Sequence, residues 1–335
     1  MRLAASACLL ATCSGLGIPP AWLPPTRSPS YPPPSGELVG AAAAARVARP
    51  LARAPHAAWK TAWRIGKRVI PMWHAFEASP SAADTDVNLS CLWWKALAER
   101  QGHIDDGGVA FDLLPSVTRR AVAWPLCLLY PPLHSQTVAL RTAFIDACVA
   151  HEVARPGAPA GTARVVVLGS GLDGRSVAMG GGGDMGEWYE IDRPAVVATK
   201  RAMLQRLIRR RRRREVRLPR LIGADLAEEG QAEAALAEAL GTGTSTGRVV
   251  VVIEALLIYI APEAARRLLE MVIRRSREAS EQVSIVYADR LPGVKDEASA
   301  NALWEGLGCD VIEWAPKPGL ARHMGRVRVR VRRLL

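Results

Sequence analysis

The stretch VVVLGSGLDGRS, residues 165–176, sets Gly169, Gly171 and Gly174 in a GxGxxG pattern directly after a run of β-branched residues. Glycines at that spacing let a strand turn sharply into a helix and let backbone amides approach a ligand closely. An acidic pair, Glu190 and Asp192, follows about 20 residues on, where a carboxylate can accept hydrogen bonds from ribose hydroxyls. A dinucleotide site and a loop bent around another adenosine-bearing cofactor both satisfy this spacing. Two more carboxylates stand where apolar runs end: Asp225 in GADL, and Glu254 after VVVVI. A bare charge there is costly unless something pairs with it.

The elements that must position these groups alternate. Short apolar runs predict strands at Arg164 to Leu168, Glu187 to Ile191, Val216 to Ile222, Val249 to Ile253 and Val283 to Ala288. Between them, helical spacing covers Asp173 to Met179, Pro194 to about Arg212, Gln231 to Leu240 and Pro262 to Ala279, with Pro194 and Pro262 suited to a first helical turn. This is a βαβ rhythm, hence an α/β fold with a mostly parallel sheet. From Gly308 onward no crossover helix is expected. Two antiparallel strands around a Pro/Gly-rich loop fit instead, and the Val-Arg alternation from Arg326 to Arg332 implies one buried and one wet face. Residues 57–150 read as mostly helical, with Leu140, Phe144, Ile145 and Cys148 on one face and Arg141 beside that stripe.

Five motifs in order resemble the leucine carboxyl methyltransferase family: RTAFID (141–146), VVVLGSGLDGRS, YEIDRP (189–194), GADL (223–226) and IEALLIYIAPEAARRLL (253–269). The resemblance covers about residues 137–290. It implies a class I methyltransferase sheet, parallel strands closed by an antiparallel C-terminal hairpin and preceded by a helical lid, with S-adenosylmethionine as cofactor. On that resemblance Gly169 and Gly171 approach the methionine part and Asp192 holds the ribose, with Glu190 as its fallback. Asp225 and the Leu226 backbone hold the adenine, Glu254 faces the ammonium, and Arg141 pairs with the cofactor carboxylate. Tyr259 matches a tyrosine at the mouth of the site and reads as an acceptor-side wall. His134, Arg322 and His323 are other polar groups within its reach: Arg322 could clamp an acidic acceptor and His323 could serve as base for a hydroxyl. The expected reaction is O-methylation, of a carboxylate on a small molecule or on a protein C-terminus. Gly174 departs from the family's threonine, and the run Arg209 to Arg214 is an arginine-rich interruption before the third strand.

Composition bounds the remaining readings. The formal charge of +12 is concentrated early: residues 1–75 hold nine Lys or Arg against one acid, Glu37, which leaves +4 for residues 76–335. A nucleic-acid partner is therefore not expected. Residues 1–56 combine a short apolar stretch, too short to span a bilayer, with Pro-, Ser-, Ala- and Arg-rich sequence. They read as a targeting leader for an organelle, a plastid before a mitochondrion. The expected organisation is thus leader (1–56), helical lid (57–150) and cofactor-binding domain (151–335), with no stable membrane insertion. Six cysteines lie without metal-ligand spacing, so no metal is expected and reduced thiols fit a reducing compartment. Two rival functions remain at this level: an NAD(P)-dependent oxidoreductase built on the GxGxxG, and a non-catalytic descendant binding RNA or a protein through the arginine run.

Overall fold

The computed structural model describes residues 82–123, 133–157, 161–180, 185–211, 217–241, 247–280, 282–316 and 323–330. The expected leader, Cys127, Arg322 and Arg212 to Arg214 lie outside the described residues.

Among the described residues three helices come first: α1 (Ala82–Arg100), α2 (Val109–Leu113) and α3 (Ser116–Ala123). The long α4 (Leu133–Ala154) follows. Then strands and helices alternate as β1 (Arg164–Leu168), α5 (Arg175–Gly180), β2 (Glu187–Asp192), α6 (Pro194–Arg210), β3 (Arg220–Gly223), α7 (Glu229–Leu240), β4 (Val249–Glu254), α8 (Pro262–Ala279) and β5 (Val283–Asp289). The described chain closes with α9 (Glu297–Gly306), β6 (Cys309–Pro316) and β7 (His323–Val329). The seven strands form one sheet in the order β3-β2-β1-β4-β5-β7-β6. Strands β1 to β5 pair in parallel, while β7 runs antiparallel to both neighbours, β5 and β6.

Central strands such as VVVVIE are apolar at every position but the last because helices cover both faces of a parallel sheet. On one face Val166, Leu168, Val251, Ile253 and Tyr287 pack with α7, α8 and Trp304 of α9. On the other, Val165, Val167, Val250 and Val252 meet Leu140, Phe144, Ile145 and Cys148 of α4. In α8 the buried Ala265, Leu268, Leu269, Val272, Ile273 and Ser276 follow helical spacing, and Arg266, Arg267, Glu270 and Arg274 face outward. A third cluster joins Leu92, Trp93, Val109 and Leu113 of α1 and α2 to Leu172 and to Met203, Leu204 and Leu207 of α6.

Three local readings change. Strand β3 begins at Arg220 rather than Val216, because Pro219 has no N–H to give a ladder. Helix α9 was not expected; its start is fixed by a reciprocal cap in which Ser299 N donates to Asp296 Oδ1 (2.9 Å) and Asp296 N donates to Ser299 Oγ (3.0 Å). The supposedly wet face of β7 is not wet at Arg326, which is fully buried. Helix α4 covers it and supplies the countercharge: Arg326 Nη1 donates to Glu152 Oε1 at 2.8 Å, and Glu313 lies at 3.7 Å. Among the described residues Cys91, Cys148 and Cys309 are free thiols, and no helix is long and apolar enough to cross a membrane.

Candidate functional site

Parallel registry brings the carboxyl ends of β1, β2, β3 and β4 level: Leu168 lies opposite Ile191 and Ile253, and Asp192 opposite Gly223. The glycine loop leaves β1 at this edge. Gly169 and Gly171 both have positive φ (64° and 51°), a region L side chains rarely adopt. A Cβ on Gly171 would lie 2.7 Å from Asn88 Oδ1 of α1, so the Asn88 side chain fills the space beside the loop. Gly169 N donates to Ile191 O (2.8 Å), and Gly171 N donates to Asp192 Oδ2 (2.6 Å), tying the loop to the tip of β2.

Below the loop lies a compact ionic network. Glu254, at the end of β4, pairs with Arg141 of α4 and accepts from Arg175 Nη2 at 2.8 Å. Arg175 also reaches Asp173 through Nη1 (2.8 Å) and Asp146 through Nε. Lys95 of α1, only 4% exposed, donates to Asp173 Oδ1 at 2.6 Å. Three cations thus face three carboxylates. Burial alone would raise the carboxyls, but Arg175 and Lys95 hold Asp173 well below the usual range, and Arg175 and Arg141 hold Glu254 below it. Burial likewise opposes the charge on Arg141, which Glu254 more than restores.

After Glu254 the chain takes a left-handed step at Ala255 (φ 52°), the one non-glycine residue with positive φ among the described residues. Such a conformation persists only when its surroundings over-determine it. Here the buried Asp289 carboxylate accepts from Leu256 N (2.6 Å), Leu257 N (2.8 Å) and Ile258 N (3.2 Å). This fixes the turn Leu257–Tyr259, which leaves Tyr259 65% exposed at the rim of the cleft.

Arg141, Gly169, Gly171, Glu254 and Tyr259 therefore line one cleft, with Lys95, Asp173 and Arg175. Asp192 stands at its edge, bonded to Gly171. Asp225 lies beyond β3, where its Oδ1 accepts from Ala227 N (2.9 Å) and closes a turn before α7; Leu226 beside it is buried. Glu190, one pleat below Asp192, is 2% exposed and paired with the equally buried Lys200. His323, 6% exposed, stacks on Trp314 with ring centroids 5.7 Å apart and sits opposite Asp289 in the sheet. Sequence reading missed Lys95 as well as the roles of Asp146, Asp173 and Arg175. The last three are letters of the quoted motifs, whereas Lys95 had only its position in an apolar helix as a signal.

Helices α1 and α2 meet at a carboxyl pair. Gly108 N donates to Glu99 Oε1 (2.6 Å), while Asp106 accepts from Val109 N (3.1 Å) and Ala110 N (3.0 Å). Burial, with the Asp106 carboxyl beside it, pushes Glu99 up to about 8 from an ordinary value of 4.5. A folded value above the unfolded one contributes stability that is complete below about pH 4.5 and disappears as pH rises through about 8. Glu99→Gln, which cannot ionise, should flatten the fall in urea-unfolding stability between about pH 4.5 and about pH 8. An unchanged slope would assign that fall to other groups.

The seven-stranded sheet, mostly parallel with an antiparallel C-terminal pair, is like that of class I methyltransferases. Residues 128–273 match the family model described as leucine carboxyl methyltransferase, the family that the five motifs resemble. No curated protein sequence matches the chain. Among solved structures, similar chains include magnesium protoporphyrin IX methyltransferase from Synechocystis PCC 6803 with bound SAM. That chain is 15% identical, with 58% of this chain and 83% of that one covered and a TM-score of 0.39. An O-methyltransferase family protein from Burkholderia thailandensis is 12% identical over 58% and 60% of the two chains, with a TM-score of 0.36. Mitomycin 7-O-methyltransferase is 16% identical over 75% and 73%, with a TM-score of 0.35. The residues present fit S-adenosylmethionine, the cofactor that the resemblance implies: Arg141 and Glu254 offer opposite charges to a zwitterion in the cleft beside Gly169 and Gly171.

Proposed function

We propose that the protein is an O-methyltransferase acting on a carboxylate, on a small molecule or a protein C-terminus. The observation that carries this reading is the lack of a ready base in the described cleft. Its lining holds no histidine, and its two carboxylates, Asp173 and Glu254, are held below their ordinary pKa by their cations. A carboxylate acceptor is already ionised near neutrality and needs no proton removed. A hydroxyl acceptor would need a base.

Arg141 and Glu254 would hold the two ends of the cofactor's amino-acid part, with the Gly169 and Gly171 backbone beside them. Asp192 would take the ribose, and Asp225 with Leu226 the adenine; the Lys200 partner leaves Glu190 as a support for that edge. Bound there, S-adenosylmethionine supplies a methyl group on a positively charged sulfur that is open to in-line displacement. What the chain contributes is alignment and exclusion of water, and orientation alone can supply roughly 7–11 kcal/mol of a barrier. Tyr259 would wall the acceptor side, whereas His323, buried against Trp314, is not among the residues that line the cleft.

Full-length protein incubated with methyl-labelled S-adenosylmethionine and a panel of organic acids and peptides should yield products that release labelled methanol in mild alkali, as methyl esters do. Label stable to alkali would overturn the carboxylate reading and point to a hydroxyl acceptor.

A further inference from the structure

Of the run Arg209 to Arg214, the described members Arg209, Arg210 and Arg211 do not line the cleft, yet two of them make specific contacts. Arg210 Nη1 donates to Asp112 O at 2.6 Å. Arg211 brackets α2: its Nε donates to Asp112 Oδ2 (2.7 Å), and its Nη2 donates to Gly107 O (2.8 Å), just ahead of that helix. Gly107 and Gly108 both have positive φ (66° and 77°), so the chain turns into α2 through a bend that glycine alone accepts without strain. The ion pair is only partly exposed, 17% at Arg211 and 30% at Asp112, and the guanidinium fork fixes two acceptors at once.

The neighbouring, buried face of α2 rests on the glycine loop. A Cβ on Gly174 would fall 2.5 Å from Val109 Cγ1 and 2.9 Å from Leu113 Cδ1, so these side chains fill the space a larger residue would occupy there. Gly174 lies between Asp173 and Arg175, both of which line the cleft. Helix α2 is also fastened to α1 through Gly108 N and Glu99, and α1 brings Asn88 and Lys95 to the cleft wall. A force applied to α2 therefore reaches the cleft by two routes.

We propose that Arg210 and Arg211 are positioning residues that latch α2 onto the glycine loop and thereby set how tightly the cofactor is held. The proposal rests on the cofactor reading of the cleft. Gly174 and the two arginines then form one device: the small residue admits α2, and the guanidinium groups hold it down. Arg209, exposed beside them, is not part of it.

The test uses the full chain and calorimetric titration with S-adenosylhomocysteine. Arg210→Ser/Arg211→Ser should raise Kd about tenfold, as expected when the competent lid is populated roughly a tenth of the time. Amide hydrogen exchange should also quicken at residues 108–113 without ligand. The milder Arg211→Lys, which keeps the charge but loses the fork, should fall between, and the exchanged pair Asp112→Arg/Arg211→Asp should recover part of the affinity. Arg209→Ser should match the parent protein. An equal loss in Arg209→Ser would mean that general positive charge draws in the ligand, and unchanged Kd and exchange in the double variant would mean that α2 needs no latch; either overturns the proposal. Failure of the parent protein itself to bind S-adenosylhomocysteine, with the exchange effect intact, would remove the cofactor reading while leaving the latch as a structural clamp.

Discussion

Arg175→Met should lower stability by about 3–5 kcal/mol, the range found when one partner of a buried ion pair is removed. Arg175 is 2% exposed and is the shared partner of Asp146, Asp173 and Glu254, carboxylates from α4, the glycine loop and β4. Methionine fills much of the volume but strands negative charge on the largely buried floor of the cleft. At roughly 2–4 °C per kcal/mol for a domain of this size, the melting temperature should fall by on the order of 10 °C. The loss should shrink at low pH, where protonation relieves Asp173 and Glu254. Those two groups titrate below their ordinary values in the parent protein and would lose a main reason to do so in the variant. Thermal unfolding at neutral and acidic pH measures both parts; a drop of only a degree or two would show that the carboxylates find other partners.

Glu254→Gln should weaken S-adenosylhomocysteine binding by roughly 100-fold, about 2.7 kcal/mol, in the range of a lost hydrogen bond to a charged group. The amide keeps the shape of the side chain but removes the charge that would meet the ligand's ammonium. It also turns an N–H toward Arg141 or Arg175, both of which need an acceptor. Calorimetric titration well below the variant's melting temperature separates binding from unfolding. Parent-like affinity would take Glu254 out of the cofactor site.

The parallel strands were readable because runs such as VVVL and VVVVI leave little besides a sheet buried on both faces. Glu254, Asp192 and Asp225 were readable because a charge at the end of an apolar strand has few places to go. The ionic network was not, since Lys95 meets its partner 78 positions away and Arg175 meets Glu254 79 positions away. No periodicity encodes pairs of that separation. Glu254 invited a ligand as its counterion, and the protein itself supplies two. Arg326 was misjudged for the same reason: alternation shows which residues share a face, but only the packing of α4 decides whether that face meets water. Helix α9 escaped because a short helix with two buried side chains, Ala300 and Trp304, leaves a weak pattern.

The seating of β7 between β5 and β6 has a consequence for how the chain is made. The last described strand is internal in space, so a nascent chain that has emerged only as far as β6 must carry a bare β5 edge and a Glu152 that still lacks its Arg326 partner. Pairings of such long sequence separation form late and slowly, and unpaired edges are where partly folded chains stick to one another. Completion of the sheet therefore waits on residues 323–329, and the interval before they arrive is when the β5 edge is open to wrong pairing.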